Sequence, residues 1–151
     1  MQQTIIVMDF GGQYSQLIAR RVRDQKVYCE ILPYNTPIHQ IKNKQPKGII
    51  LTGGPSSINE QDAPVCSMEL FNIGVPIMGI CYGAQLISTL LGGKVTKAPN
   101  KEYGKCVINY NTKSPLFTGL PEQGVCWMSH TDYIKQISDQ FSVVAATDKC
   151  P

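Results

Sequence analysis

Over its first 90 residues this chain alternates short β-branched runs with helical stretches, and that rhythm demands a parallel sheet with helices packed on it. Residues 4–9 (Thr-Ile-Ile-Val-Met-Asp), 27–32, 48–52 and 75–80 read as buried strands, because each is a near-continuous apolar run closed by a turn residue. Between them, residues 14–23 place Leu17, Ile18 and Val22 at helical spacing, residues 39–43 suggest a short helix, and residues 63–72 suggest another that stops at Gly74. A last helix begins at Tyr82 and runs to Leu91. After Gly93 the pattern changes to short strand candidates at 94–98, 104–110, 123–128 and 141–147, with turns expected at Asn100, Ser114-Pro115 and Gly119-Leu120-Pro121. The class expected is α/β: a mostly parallel sheet built from right-handed βαβ units, followed by a smaller antiparallel portion.

The chain has 151 residues, enough for one domain, and 42% of them are hydrophobic, which excludes intrinsic disorder. Fourteen basic against eleven acidic residues leave a net charge of +3, too little for a nucleic-acid-binding face. Residues 70–93 carry no charge, and ~20 apolar residues can cross a bilayer. The glycines at 74, 79, 83, 92 and 93, with Pro76, make that stretch a strand, a tight turn and a helix instead. No export signal is read at the N-terminus. The six cysteines form no Cys-x-x-Cys pair and match neither a zinc site nor a compact disulfide framework. No metal is expected, and the reducing cytoplasm is the expected location.

One cysteine differs from the other five. In Gly79-Ile80-Cys81-Tyr82-Gly83-Ala84-Gln85 a nucleophile follows a buried strand, opens a helix and has glycine two residues away on each side. That is the pattern of a nucleophile elbow with cysteine at the tip. The tip residue sits in a strained conformation, so side chains at the −2 and +2 positions would collide; Gly79 and Gly83 carry none. The helix start offers unpaired N–H groups and a partial positive charge, which favour negative charge on a sulfur and on an attacked carbonyl oxygen. Thr52-Gly53-Gly54-Pro55 follows the third strand, so in a parallel sheet it lies at the same carboxyl edge. One N–H from this loop and one from the residue after the nucleophile would complete a two-donor oxyanion hole.

These two segments resemble the class I, triad-type, glutamine amidotransferases. The opening run from Asp9-Phe10-Gly11-Gly12-Gln13-Tyr14 to Arg23, and Trp127-Met128-Ser129-His130-Thr131-Asp132, are similar to the amidotransferase domain of the GMP synthase family in particular. Thr131 stands where that family usually has glycine. The resemblance implies a three-layer α/β fold. It implies Cys81 as nucleophile on the side-chain carboxamide of glutamine, Gly54 and Tyr82 as backbone oxyanion donors, and Gln85, Ser129 and Thr131 as contacts of the substrate. His130 and Asp132 would shape the pocket or a domain interface. The domain itself would need no cofactor. The full-length enzyme would use ATP and Mg2+, pass ammonia to an ATP-pyrophosphatase domain of the same chain, aminate xanthosine 5′-monophosphate to GMP, and form a homodimer.

The family's triad partners lie in a His-Pro-Glu segment, and neither His39 nor His130 is followed by Pro-Glu. Residues 1–151 are therefore expected to be an amidotransferase domain incomplete at its C-terminus, without the pyrophosphatase and dimerisation domains, and weakly active or inactive alone. The alternatives are the glutaminase of another triad enzyme (anthranilate, carbamoyl-phosphate or CTP synthase) and, in a different class, a non-catalytic docking domain.

Overall fold

The computed structural model describes residues 3–148 and residue 150. The chain divides into two compact units, Met1–Leu90 and Leu91–Pro151, and each is described by itself.

The first unit runs β1 (Thr4–Asp9), α1 (Ser15–Asp24), β2 (Tyr28–Pro33), α2 (Ile38–Asn43), β3 (Gly48–Leu51), β4 (Ile77–Gly79) and α3 (Tyr82–Leu90). The four strands form one parallel sheet in the order β2-β1-β3-β4. Both faces of its centre are covered, which is why β1 reads as a continuous apolar run rather than an alternating one. On one face Val7 and Cys29 pack with Ala19 of α1, flanked by Ile5, Ile18, Val22, Ile31 and Ile50. On the other, Ile6 and Met8 stand in register with Ile49 and Leu51, all 2% exposed or less. Leu51 lies directly beneath Gly83 of α3, so the two helices take opposite faces. Each fully buried aliphatic side chain contributes about 1.5–3 kcal/mol of transfer free energy.

Strand order decides where a site can form. The chain leaves β1 for β2 on one side and then crosses to β3 on the other. Loops after β1 and β3 therefore diverge at the carboxyl edge and open a crevice between them.

The second unit is antiparallel: β5 (Lys94–Tyr110) pairs with β6 (Gln123–Gln136), and β7 (Ala145–Ala146) adds to the other edge of β5. The sheet content of both units accords with the α/β class expected.

Several local expectations fail for physical reasons. The helix expected over 63–72 is only a 3-10 turn, Met68–Asn72. The Pro64 carbonyl accepts from the Tyr82 hydroxyl at 2.6 Å instead of from the amide of residue 68, and the Ser67 side chain caps the shorter turn at Glu69 N–H. Asn100 does not break the hairpin: 94–98 and 104–110 belong to one strand, with a register irregularity between Lys97 and Glu102. Strand β6 does not stop at residue 128 but continues through Ser129, His130, Thr131 and Asp132, where residue type suggests a loop. The strand expected over 141–147 shrinks to two residues. The short helix expected over 39–43 is present as α2, with His39 exposed on it. No helix among the described residues is long and apolar enough to cross a membrane.

Candidate active site

At the tip of the turn from β4 to α3, Cys81 has φ +54°, the left-handed region that a non-glycine residue enters only at a cost of about 1–2 kcal/mol. Its neighbours enforce the turn. A Cβ on Gly79 would lie 2.6 Å from the backbone N and Cα of Ala84, and one on Gly83 would lie 2.3 Å from the Leu51 carbonyl oxygen. Both contacts are with backbone, so nothing can swing aside. Two hydrogen bonds lock the turn onto the end of β3 and the residue after it: Ile80 N–H donates to Leu51 O at 2.9 Å and Gly83 N–H to Thr52 O at 3.0 Å. Ala84 and Gln85 N–H both donate to the Cys81 carbonyl, at 3.0 and 3.1 Å, and so begin the helix.

The result is an exposed thiol, whereas Cys29 and Cys66 are buried. Cys81 lines a cleft of about 380 Å³ together with Gly11, Gly12, Gln13, Tyr14, Ile18, Gly53, Gly54, Pro55 and Ile80. That volume lies in the range of small-molecule sites. Gly53 packs directly on the cysteine; a Cβ there would sit 3.4 Å from Cys81 Cβ and 3.8 Å from Sγ. Among the described residues no backbone carbonyl accepts from the N–H of Gly54 or of Tyr82. Gly54 lines the cleft with Cys81, and Tyr82 follows Cys81 as the first residue of α3.

The side chain of Tyr82 is anchored in the interior. It is 1% exposed, stacks obliquely on Phe10 at 5.6 Å between ring centroids, and ties down Pro64. Burial pushes its phenol up to about 12, helped by Cys66, Glu60 and Tyr34 nearby. Burial likewise raises the Cys66 thiol, against a lowering hydrogen bond from its own backbone. Both groups stay neutral beneath the elbow at ordinary pH.

The structure thus brings Cys81, Gly54, Tyr82 and the glycines 79 and 83 together in the first unit. Gln85 sits on α3 one turn beyond Cys81, half-buried, and does not line the cleft. Ser129, His130, Thr131 and Asp132 lie on β6 of the second unit, where Ser129 and Thr131 are exposed and Asp132 is buried. Thr131 falls at the register irregularity, opposite the step between Lys97 and Glu102. Among the described residues no group of three or more His, Cys, Asp or Glu side chains could hold a metal ion.

Sequence reasoning missed the β1–α1 loop as a wall of the cleft. Gly11 to Tyr14 supply four of its ten lining residues. Only the strand order, with β1 beside β3, puts that loop there, although the paired glycines of Asp9-Phe10-Gly11-Gly12 were a signal that backbone comes close to backbone.

Known proteins resemble this chain in sequence and in fold. Residues 6–150 match the family model described as glutamine amidotransferase class-I. The chain is 61% identical over 148 residues to a GMP synthase (glutamine-hydrolysing) of Caldicellulosiruptor saccharolyticus and 55% identical over 149 residues to one of Acetivibrio thermocellus. It is covered at 98% and 99% in these matches, but it spans only 29% of the length of either relative. Among solved structures, a protein of Thermoplasma acidophilum described as a candidate GMP synthase component superposes with a TM-score of 0.88 at 30% identity, over 99% of this chain and 75% of the other. A glutamine amidotransferase of Thermotoga maritima, 16% identical, shares the fold with a TM-score of 0.76, over 99% of this chain and 69% of its own.

Proposed function

The chain belongs to the class I glutamine amidotransferase family, and from that premise we propose that it is the glutaminase part of a GMP synthase. The observation that carries the reading is the Cys81 thiol, exposed on a left-handed backbone in a cleft beside Gly53 and Gly54.

In this reading the cleft admits the side chain of glutamine. Cys81 Sγ attacks the carboxamide carbon and the carbonyl electron pair moves onto oxygen. The N–H groups of Gly54 and Tyr82 hold that oxyanion, in place before the charge develops. The nitrogen takes up a proton and leaves as ammonia, and a glutamyl thioester remains on Cys81. Water then adds to the thioester, the same donors hold the second oxyanion, and collapse releases glutamate and the thiol. The family resemblance assigns the proton transfers to a His-Pro-Glu segment. It also assigns Gln85, Ser129 and Thr131 to holding the glutamine, and His130 and Asp132 to shaping the pocket or an interface.

For the protein as a whole the proposal continues. Ammonia passes to an ATP-pyrophosphatase domain, which uses ATP and Mg2+ to adenylate xanthosine 5′-monophosphate and aminates it to GMP. That protein is a homodimer in the cytoplasm, a location that suits six free cysteines.

The test is glutamine hydrolysis by the intact protein. Cys81→Ala should reduce its rate by about 10⁴-fold or more, as expected for loss of a covalent nucleophile. Hydrolysis at the parent rate would remove Cys81 from the chemistry.

A further inference from the structure

Thr52 is wholly buried, yet its side chain is polar and it stands between all three loops around the thiol. Its Oγ1 accepts from Phe10 N–H at 3.2 Å and donates to Gly53 O at 3.1 Å. Ser15 Oγ lies 3.4 Å away and is itself held by Asp9 Oδ1 at 2.7 Å, which also accepts from Gly11 N–H at 2.8 Å. The Thr52 backbone reaches two further elements, donating to Met8 O at 3.1 Å and accepting from Gly83 N–H of α3 at 3.0 Å. One residue thus joins β1, the loop after β3 and the start of the elbow helix.

The bond to Gly53 O bears directly on the chemistry. That carbonyl and the Gly54 N–H belong to the same peptide unit. The unit is planar and trans, so its C=O and N–H point in opposite directions. Whatever fixes the carbonyl fixes the donor. Gly12 also packs on this peptide: a Cβ there would lie 2.4 Å from Gly53 O. Valine in place of Thr52 would match its shape, so shape alone does not account for the hydroxyl.

We propose that the Thr52 hydroxyl is a positioning group that orients the Gly53–Gly54 peptide so that the Gly54 N–H meets the oxyanion formed when the carboxamide or the thioester carbonyl is attacked. The inference rests on the reading of Cys81 as a nucleophile on glutamine. Thr52 touches no substrate. It acts through the peptide it holds, and its loss is felt where negative charge develops on oxygen.

The experiment compares two reactions of Cys81 in the intact protein. Hydrolysis of glutamine passes through an oxyanion; alkylation by iodoacetamide displaces iodide at carbon and forms none. Thr52→Val should lower kcat by about 10- to 100-fold, approaching the effect of losing one oxyanion donor. KM and the alkylation rate should stay within about twofold. Thr52→Ser, which keeps the hydroxyl, should restore kcat. Should the valine variant not fold, Thr52→Ala, which leaves room for water at Phe10 N–H, carries the same expectations. Unchanged kcat in a folded valine or alanine variant overturns the inference while leaving the glutaminase reading intact. A proportional fall in hydrolysis and alkylation also overturns it, since Thr52 would then act on the thiol or the fold. Parent protein that alkylates but does not hydrolyse glutamine sinks both.

Discussion

The turn that ends α1 and the turn that begins α3 each force a non-glycine residue into left-handed backbone, Lys26 at φ +60° and Cys81 at φ +54°. They differ in everything around that residue. Lys26 is exposed, and its N–H closes the helix onto Arg23 O at 2.8 Å, a helix end where glycine is the usual occupant. Cys81 is fixed from several directions at once: by Gly79 against Ala84, by Gly83 against Leu51, and by two backbone bonds to the end of β3 and the residue after it. Strain at the first turn is incidental, because another residue would serve. At the second it is over-determined, and it is what lifts a thiol into a cleft.

Substitutions can break this contrast. The largest effect is expected from Gly83→Ala. Its methyl group would enter the Leu51 carbonyl, and backbone cannot yield as a side chain can, so denaturant unfolding should show a loss of about 3 kcal/mol or more. The same change at Gly74, where nothing lies within 4 Å, meets only the cost of its own positive φ.

A matched pair sharpens the contrast with smaller effects. Lys26→Gly and Cys81→Gly should each relieve strain and raise stability by up to about 1 kcal/mol, the left-handed penalty less the added chain entropy of glycine. Only the second should abolish glutamine hydrolysis. Equal loss of activity from both would mean that the α1 turn matters to the site in a way the structure gives no reason to expect.

The same contrast explains what sequence could disclose. The elbow was legible because its constraints are local: glycines at 79 and 83 are required by contacts that the turn itself creates. The buried strands were legible because burial on two faces leaves an unbroken apolar run, as in Ile5-Ile6-Val7-Met8. Contacts between distant segments were not. Residues 63–72 read as a helix, but the Tyr82 hydroxyl takes the Pro64 carbonyl, and no pattern within the segment announces that bond. The Ser129–Asp132 stretch looks like a loop by residue type, yet pairing with β5 carries it as strand. Thr52 read as the start of a turn; its hydroxyl acquires meaning only when β1 and β3 lie side by side.

That Cys81 carries an exposed thiol in a small-molecule cleft has a direct measurement. Intact protein is treated with a chloroketone analogue of glutamine, and the adducts are mapped by mass spectrometry with and without glutamine. An adduct on Cys81 should form faster than on Cys106, Cys126 or Cys150 and should be slowed by glutamine. Labelling spread evenly over those four cysteines, or labelling of Cys81 that glutamine does not slow, would contradict it.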